Sequence, residues 1–533
     1  MGGFSTNLQR MRSIFVMMAL MALAVNSRAA SFKIGGIRYS ETSSNTVMVM
    51  PDGASSSGTG IGLGKYYEGD IVIPATVTYN DVEYTVTEVA EGAFSYSPKL
   101  TSVSIPATVV NLGSEPFASC GKLTSITVDP DNQVYKSIDD VLYDKNVTTI
   151  IACPGAKAGA FDVPETVRTV ASSAFYGCSK LTSITLPASV REIGERAFRS
   201  CTYLKSVNIP DGITEIKDQL FYGCSSLVST NIPEGVVRIG DGAFSNCKKL
   251  PSVTLPSSLK TIGDRAFEQC SSIREMIVPE GVTSIGESAL MNCSLMNKLS
   301  LPASLKELGT GAFRLCLSLP SIDLAEGNTC FTIENGLLLD TDKTSLICCP
   351  AGYSGECVIP STVTVIEDYA FYSCSNITNI KMPESLVAIR TAAFASCTSL
   401  KTIIIPKNVV NIGVSAFASC TALKNLVCQA ENPPAIAKEI FSSTIYNVAT
   451  LYVRHQSLSL YENADFWKKF LNTGLLGDVN KDKRINVADV MAIVNHVLGH
   501  PSVVFENWLG DVNVDDKVNV TDVMEVVKIC LNS

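Results

Sequence analysis

The stretch Cys178-Ser-Lys-Leu-Thr-Ser-Ile-Thr-Leu-Pro-Ala-Ser-Val-Arg-Glu-Ile-Gly-Glu-Arg-Ala-Phe198 decides the fold. Leu181, Ile184 and Leu186 carry its apolar side, and the short polar residues between them give the alternation of a brief strand. Pro187 then ends the strand, because proline has no amide hydrogen to give a ladder. Val190, Ile193 and Gly194 lead back to Ala197-Phe198, whose ring has to point inward. One such unit cannot bury its own apolar side, and stacked copies can.

Copies are present. Pro164, Pro187, Pro210, Pro233, Pro256, Pro279 and Pro302 follow one another at 23 residues, and Pro360, Pro383 and Pro406 keep the same step. Phenylalanine recurs at 94, 117, 175, 198, 221, 244, 267, 313, 371, 394 and 417, and Leu290 takes the slot in the rung that lacks it. With 533 residues the chain exceeds what one compact core supports, so a repeat array meets the length directly. The unit AFxxCxxLxxIxLPxxVxxIGxxAF resembles the BspA-like leucine-rich repeats of bacterial and protozoan surface proteins, over about residues 81–428. That resemblance implies a repeat solenoid, mainly β, with short irregular return segments.

Two longer steps interrupt the period. Phe117 to Phe175 and Phe313 to Phe371 are both 58 residues. Asp140-Val-Leu-Tyr-Asp144 with Cys153-Pro-Gly, and Gly336-Leu-Leu-Leu-Asp340 with Cys349-Pro-Ala-Gly, are matching inserts. Each is expected to form a longer rung or a protruding hairpin. End rungs expose a core edge and need covering. Residues 30–80 read as an N-terminal β cap with a Gly/Ser-rich loop at Gly53–Gly64. Residues 429–474 read as a C-terminal cap, with a last strand at Leu451-Tyr452-Val453 and a short amphipathic helix from Tyr461 to Phe470 around Trp467.

Arg10, Arg12, the apolar run Ile14–Val25 and Ser27-Arg28-Ala29 read as an export signal over residues 1–29. The run of twelve is short of the ~20 residues a spanning helix needs. No other long apolar stretch occurs, so the mature chain is expected to have no membrane span and to be secreted or at the cell surface. Eighteen cysteines in an exported chain suggest disulfides first. Eleven of them, however, hold one repeat position (120, 178, 201, 224, 247, 270, 293, 316, 374, 397 and 420). Parallel side chains on stacked rungs reach the ~90° disulfide torsion poorly. They are read as buried thiols acting as small apolar residues, with scattered disulfides as the alternative.

The array offers no base for nucleophilic catalysis, because His455, His496 and His500 all lie beyond it. Glu192, Glu195, Asp241 and Asp264 follow the variable return segments, as a solvated outer face does. His496 and His500 have the four-residue spacing of a metal pair but no third ligand nearby in sequence. We therefore expect no enzyme. A net charge of −9 argues against a nucleic-acid partner. Outward strand positions read Thr182, Ser183, Thr185; Lys205, Ser206, Asn208; Val228, Ser229, Asn231; and Asn297, Lys298, Ser300. They are expected to tile a wet concave face for a protein or glycan ligand.

Residues 475–533 carry the sharpest chemical signal. Asp478, Asn480, Asp482, Arg484, Asn486 and Asp489 occupy positions 1, 3, 5, 7, 9 and 12 of a loop. Asp511, Asn513, Asp515, Lys517, Asn519 and Asp522 repeat it 33 residues later. Oxygen atoms on alternate residues can wrap a hard cation, and position 7 needs only its carbonyl. Apolar helical segments follow each loop. The doubled loop, with Asp at position 12, resembles a type I dockerin, which implies a small all-α module, two calcium ions and a cohesin-like partner. Position 6, normally glycine, is Lys483 and Asp516. Asp tolerates that geometry better, so the second loop is expected to bind more tightly. The positions that carry partner recognition by resemblance, Val487 with Ala488 and Val520 with Thr521, are mostly apolar. A dockerin also raises the alternative of a non-catalytic component in a polysaccharide-degrading complex.

Overall fold

The computed structural model describes residues 31–52, 66–436, 438–500, 505–515 and 517–532. The expected export signal and the Gly/Ser-rich loop lie outside them. The chain divides into two compact units, residues 1–204 and 205–533.

The first unit opens on a β meander. Ser31–Ile34 and Ile37–Ser43 form a hairpin around Gly35-Gly36, whose φ values of 56° and 85° suit the two-residue turn that matches strand twist. Thr46–Met50 joins antiparallel and then pairs in parallel with Val82–Val89. Glu68–Val72 pairs in parallel with Lys99–Ile105, which pairs with Ser125–Val128. Parallel rung-to-rung pairing therefore begins within the segment read as the N-terminal cap.

In both units a rung holds two strands. The LxxIxL segment forms one, as at Lys180–Thr185, Lys298–Leu301 and Thr402–Ile405. The return segment forms a second, of two residues. Glu215–Ile216, Arg238–Ile239, Thr261–Ile262, Ser284–Ile285 and Glu307–Leu308 make one parallel sheet in the second unit. The return segments are thus more regular than expected, because VxxIG places an apolar residue inward at every turn. Conversely, Leu250 to Leu255 has no strand. Pro251 stands where Val228, Asn297 and Lys424 each donate an amide to the preceding rung, and it has none to give.

The inward side is filled by stacked rings. Phe244 and Phe267 lie 5.2 Å apart at 1°, and Phe394 and Phe417 lie 5.4 Å apart at 5°. In the first unit Phe94 and Phe117 repeat the arrangement at 5.4 Å. Leu290 is equally buried in its slot, and its amide meets the Ala312 carbonyl as phenylalanine amides do elsewhere. The tight Ala-Phe turns stack through the backbone. The Phe244 amide donates to Ala266 and that of Phe267 to Ala289, at 2.7 and 2.8 Å. This turn holds residues with positive φ even where they are not glycine, such as Arg265 at 53° and Gln269 at 59°.

The cysteine ladder is buried. They do more than fill space. The thiols of Cys247, Cys270, Cys293 and Cys316 donate to the carbonyls of Phe221, Phe244, Phe267 and Leu290 at 3.1–3.3 Å. Burial pushes the Cys316 thiol up to about 12, so it keeps the proton it donates. The glycines that follow the inward Ile or Leu of the return segment have a steric reason. A Cβ on Gly309 would lie 2.2 Å from the Glu287 nitrogen, so neighbouring rungs meet there backbone to backbone.

The inserts are hairpins, but they do not protrude. Tyr135–Ile138 pairs with Val141–Asp144 through an Asp139-Asp140 turn, and Phe331–Glu334 pairs with Leu337–Asp340 through Asn335-Gly336. The second strand is buried on both faces at Val141, Leu142 and Tyr143 and at Leu337, Leu338 and Leu339. A third strand, Thr149–Ala152 or Ser345–Cys348, returns to the parallel ladder. Sequence reading missed the anchor of each hairpin. Asn132, eight residues before Asp140, gives its Nδ2 to the carbonyls of Pro106 and Val109 and takes the amides of Val134 and Tyr135 on Oδ1. Asn328, eight before Gly336, does the same with Pro302, Leu305, Cys330 and Phe331.

At the far end, Thr450–Val453 is not the last strand. Asn472–Leu475 adds one more in parallel. The helix expected from Tyr461 to Phe470 is instead a helix at Leu458–Asn463 and a single 3₁₀ turn at Trp467–Lys469. Phe466, at φ 67°, breaks the path between them.

Two substitutions test these contacts by denaturant unfolding. Gly309→Ala is expected to lose about 1–3 kcal/mol or more through rung overlap, although φ there suits alanine. Asn132→Ala strands two carbonyls and two amides and is expected to lose about 1–3 kcal/mol. Full stability in either variant refutes the corresponding contact.

Candidate calcium module and ligand face

The first acidic loop begins where the last strand stops. In the first loop, Asp478 accepts the amides of Asp482 and Lys483, at 3.1 and 2.8 Å, on its two oxygens. Asn480 accepts the Asp482 amide and Asp482 that of Arg484, both at 2.8 Å. Asn486 caps the helix Val487–Val497 and forms a capping box with Asp489. Asp489 therefore sits at the helix start, where the dipole favours a negative charge, and it also takes the Asn480 amide at 3.2 Å.

The second loop repeats this. Asp511 and Asn513 accept the Asp515 amide at 3.0 Å, and Asp515 accepts that of Lys517 at 3.0 Å. Asp522 accepts the amides of Val512, Asn513 and Asn519 at the start of the helix Val520–Asn532. These turns bring carboxylate oxygens of Asp511, Asp515 and Asp522 within 4.8 Å of one another.

The donor set fits a hard divalent cation. Its oxygens are preorganised by backbone amides, and its two position-12 carboxylates, Asp489 and Asp522, are fully buried. Burial pushes the carboxyls of Asp478 and Asp489 up from the ordinary range, and neighbouring aspartates add to it. A cation between them relieves both effects. Position 6 of the first loop is left-handed, with Lys483 at φ 71°, as the glycine preference there requires. Asp516 lies outside the described residues.

Other candidates do not converge. The His496 ring stacks on Phe505 at 4.0 Å, while His500 is exposed at the end of its helix. Asp241 and Asp264 are exposed, as expected of an outer face, yet each accepts the amide 23 residues on. The polar strand positions from Thr182 to Ser300 named above are exposed or half-buried. On the module, sequence reading named Val487 and Val520 and missed their helical companions. Met491 and Leu498, and Met524 and Leu531, are also more than half exposed. The signal was present, since the two sets are again 33 residues apart.

A BspA type leucine rich repeat region matches over residues 75–155, 152–251, 215–343 and 353–469. The chain belongs to the BspA-type leucine-rich-repeat family. A dockerin type I domain matches residues 476–531, so this BspA-type solenoid ends in a dockerin, a calcium-binding kind of module. Neither is a catalytic kind of module. No curated protein matches the chain. Similar solved structures are also leucine-rich-repeat proteins. A leucine rich cell surface protein from Faecalibacterium prausnitzii A2-165 is 24% identical, with 75% of this chain and 89% of that one covered and a TM-score of 0.37. A protein from Bacteroides ovatus ATCC 8483 is 24% identical over 83% and 99%, with a TM-score of 0.39. One from Eubacterium ventriosum ATCC 27560 is 24% identical over 60% and 77%, with a TM-score of 0.42. Among the described residues no helix is long and apolar enough to cross a membrane.

Lys483→Gly is expected to raise calcium affinity at the first loop severalfold, because a left-handed non-glycine residue costs roughly 1–2 kcal/mol. Titration calorimetry reads this directly, and unchanged affinity refutes strain at position 6.

Proposed function

We propose that this protein is an exported, non-enzymatic binding protein whose solenoid displays a polar strand face to a protein or glycan. Its dockerin attaches it, in calcium, to a cohesin-bearing partner at a cell surface or in a larger assembly. The observation that carries the proposal is the pair of loops, 478–489 and 511–522, whose backbone amides orient the acidic side chains, with three carboxylates converging in the second. Two calcium ions bind there. Asp478, Asn480, Asp482, Asp489 and the Arg484 carbonyl serve the first, with Asn486 at position 9. Asp511, Asn513, Asp515, Asp522 and the Lys517 carbonyl serve the second, with Asn519 at position 9. The exposed apolar stripes on the two helices supply the partner face, since a soluble surface keeps such residues where something covers them.

Calorimetry on the full chain is expected to show two calcium events, with the tighter lost in Asp522→Ala. A tagged full chain is expected to retain a cohesin partner in calcium and release it in EDTA. Retention that ignores EDTA sinks the attachment reading. Glycan or protein binding without sugar release is expected for the solenoid, and hydrolysis of any bound glycan refutes the non-enzymatic reading.

A further inference from the structure

The dockerin is not hung on a linker. Asn472–Leu475 is a strand of the solenoid sheet, in register with Thr450–Val453. Leu476 still donates to the Val453 carbonyl at 2.9 Å, Gly477 donates to Leu509 at 2.9 Å, and Asp478 is position 1 of the first loop. Two hydrogen-bonded residues thus separate the last solenoid strand from the first acidic side chain.

The side chains continue the connection. Val427 and Tyr452, on consecutive solenoid strands, lie in one buried cluster with Leu476, Val479, Ile493 and Val526 of the module. The Tyr452 ring meets Trp508 edge-on at 4.9 Å and 70°. Along the repeat, the position of Val427 is Thr185, Asn208 and Asn231 in earlier rungs and Ile404 in the rung before it. Ile404 also packs against the cluster. Ile277 holds the same position and is exposed, whereas Ile404, Val427 and Tyr452 are packed where the module covers them.

We infer that the dockerin is a buttress built onto the outward face of the last solenoid strands, and that calcium in its first loop holds the strands Asn425–Cys428, Thr450–Val453 and Asn472–Leu475 in place. This rests on the proposed calcium sites. Without the ion, Asp478, Asp482 and Asp489 repel one another at the foot of the last strand. With it, the loop, the shared cluster and the sheet edge form one cooperative unit, and a partner on the exposed helices is held in fixed orientation to the last rungs.

Hydrogen exchange on the full chain, in calcium and in EGTA, tests this, with calcium binding measured by calorimetry on the same sample. Exchange across the three strands is expected to slow at least about tenfold in calcium, while Thr261–Ile262 and Ser284–Ile285 stay unchanged. Calcium heat with no change in those strands overturns the inference and leaves the calcium sites standing. Absence of heat overturns the sites themselves, and the inference with them. Tyr452→Ala is expected to keep calcium binding and shrink the exchange difference at Asn425–Cys428 severalfold. Trp508→Leu, which keeps apolar volume, serves if that variant fails to fold. An undiminished difference in a folded variant overturns the coupling through this contact.

Discussion

A rung of twenty-three residues has one apolar side and nothing of its own to cover it. Every feature of the coil follows from closing that side with the next copy. The turn that carries phenylalanine inward must be tight, so it holds residues at positive φ, and its amides have to find acceptors in the adjacent rung. The carbonyl left beneath each ring is met by a cysteine thiol one rung further on. Cysteine suits that place because it is small and apolar enough for the interior, yet keeps a proton to donate. An alanine is smaller and leaves the carbonyl unsatisfied.

The inserts show how strictly the parallel ladder is kept. A hairpin of local, antiparallel contacts is spliced in, its middle strand buried on both sides, and the following strand rejoins the ladder in register. A single asparagine seals each junction, because the chain turns away there and leaves two carbonyls and two amides unpaired. The same pressure acts at the C-terminal end, where an exposed core edge needs covering. Here Tyr446, Tyr461, Trp467 and Phe470 cover the core edge, while the calcium module packs on the outward strand face through Tyr452 and Trp508.

The acidic loops work by a different balance. Their backbone amides already point at the carboxylates, which orients the oxygens without neutralising them. Burial makes that charge costly, and a cation between the oxygens removes the cost. The proposed ions thus belong to the folding of the module as much as to its attachment.

The strand period, the phenylalanine and cysteine ladders, the two matching inserts and both acidic loops were legible in the amino-acid sequence, because each repeats at a fixed step and periodicity survives without coordinates. Three-dimensional packing decided what no period encodes. The buried strand Val141–Asp144, the Asn132 and Asn328 anchors, the second small sheet and the loss of a strand at Pro251 depend on which backbone groups face each other across rungs. The seat of the module on Val427 and Tyr452 depends on contacts between residues that share no repeat, and those arise only once both partners are folded.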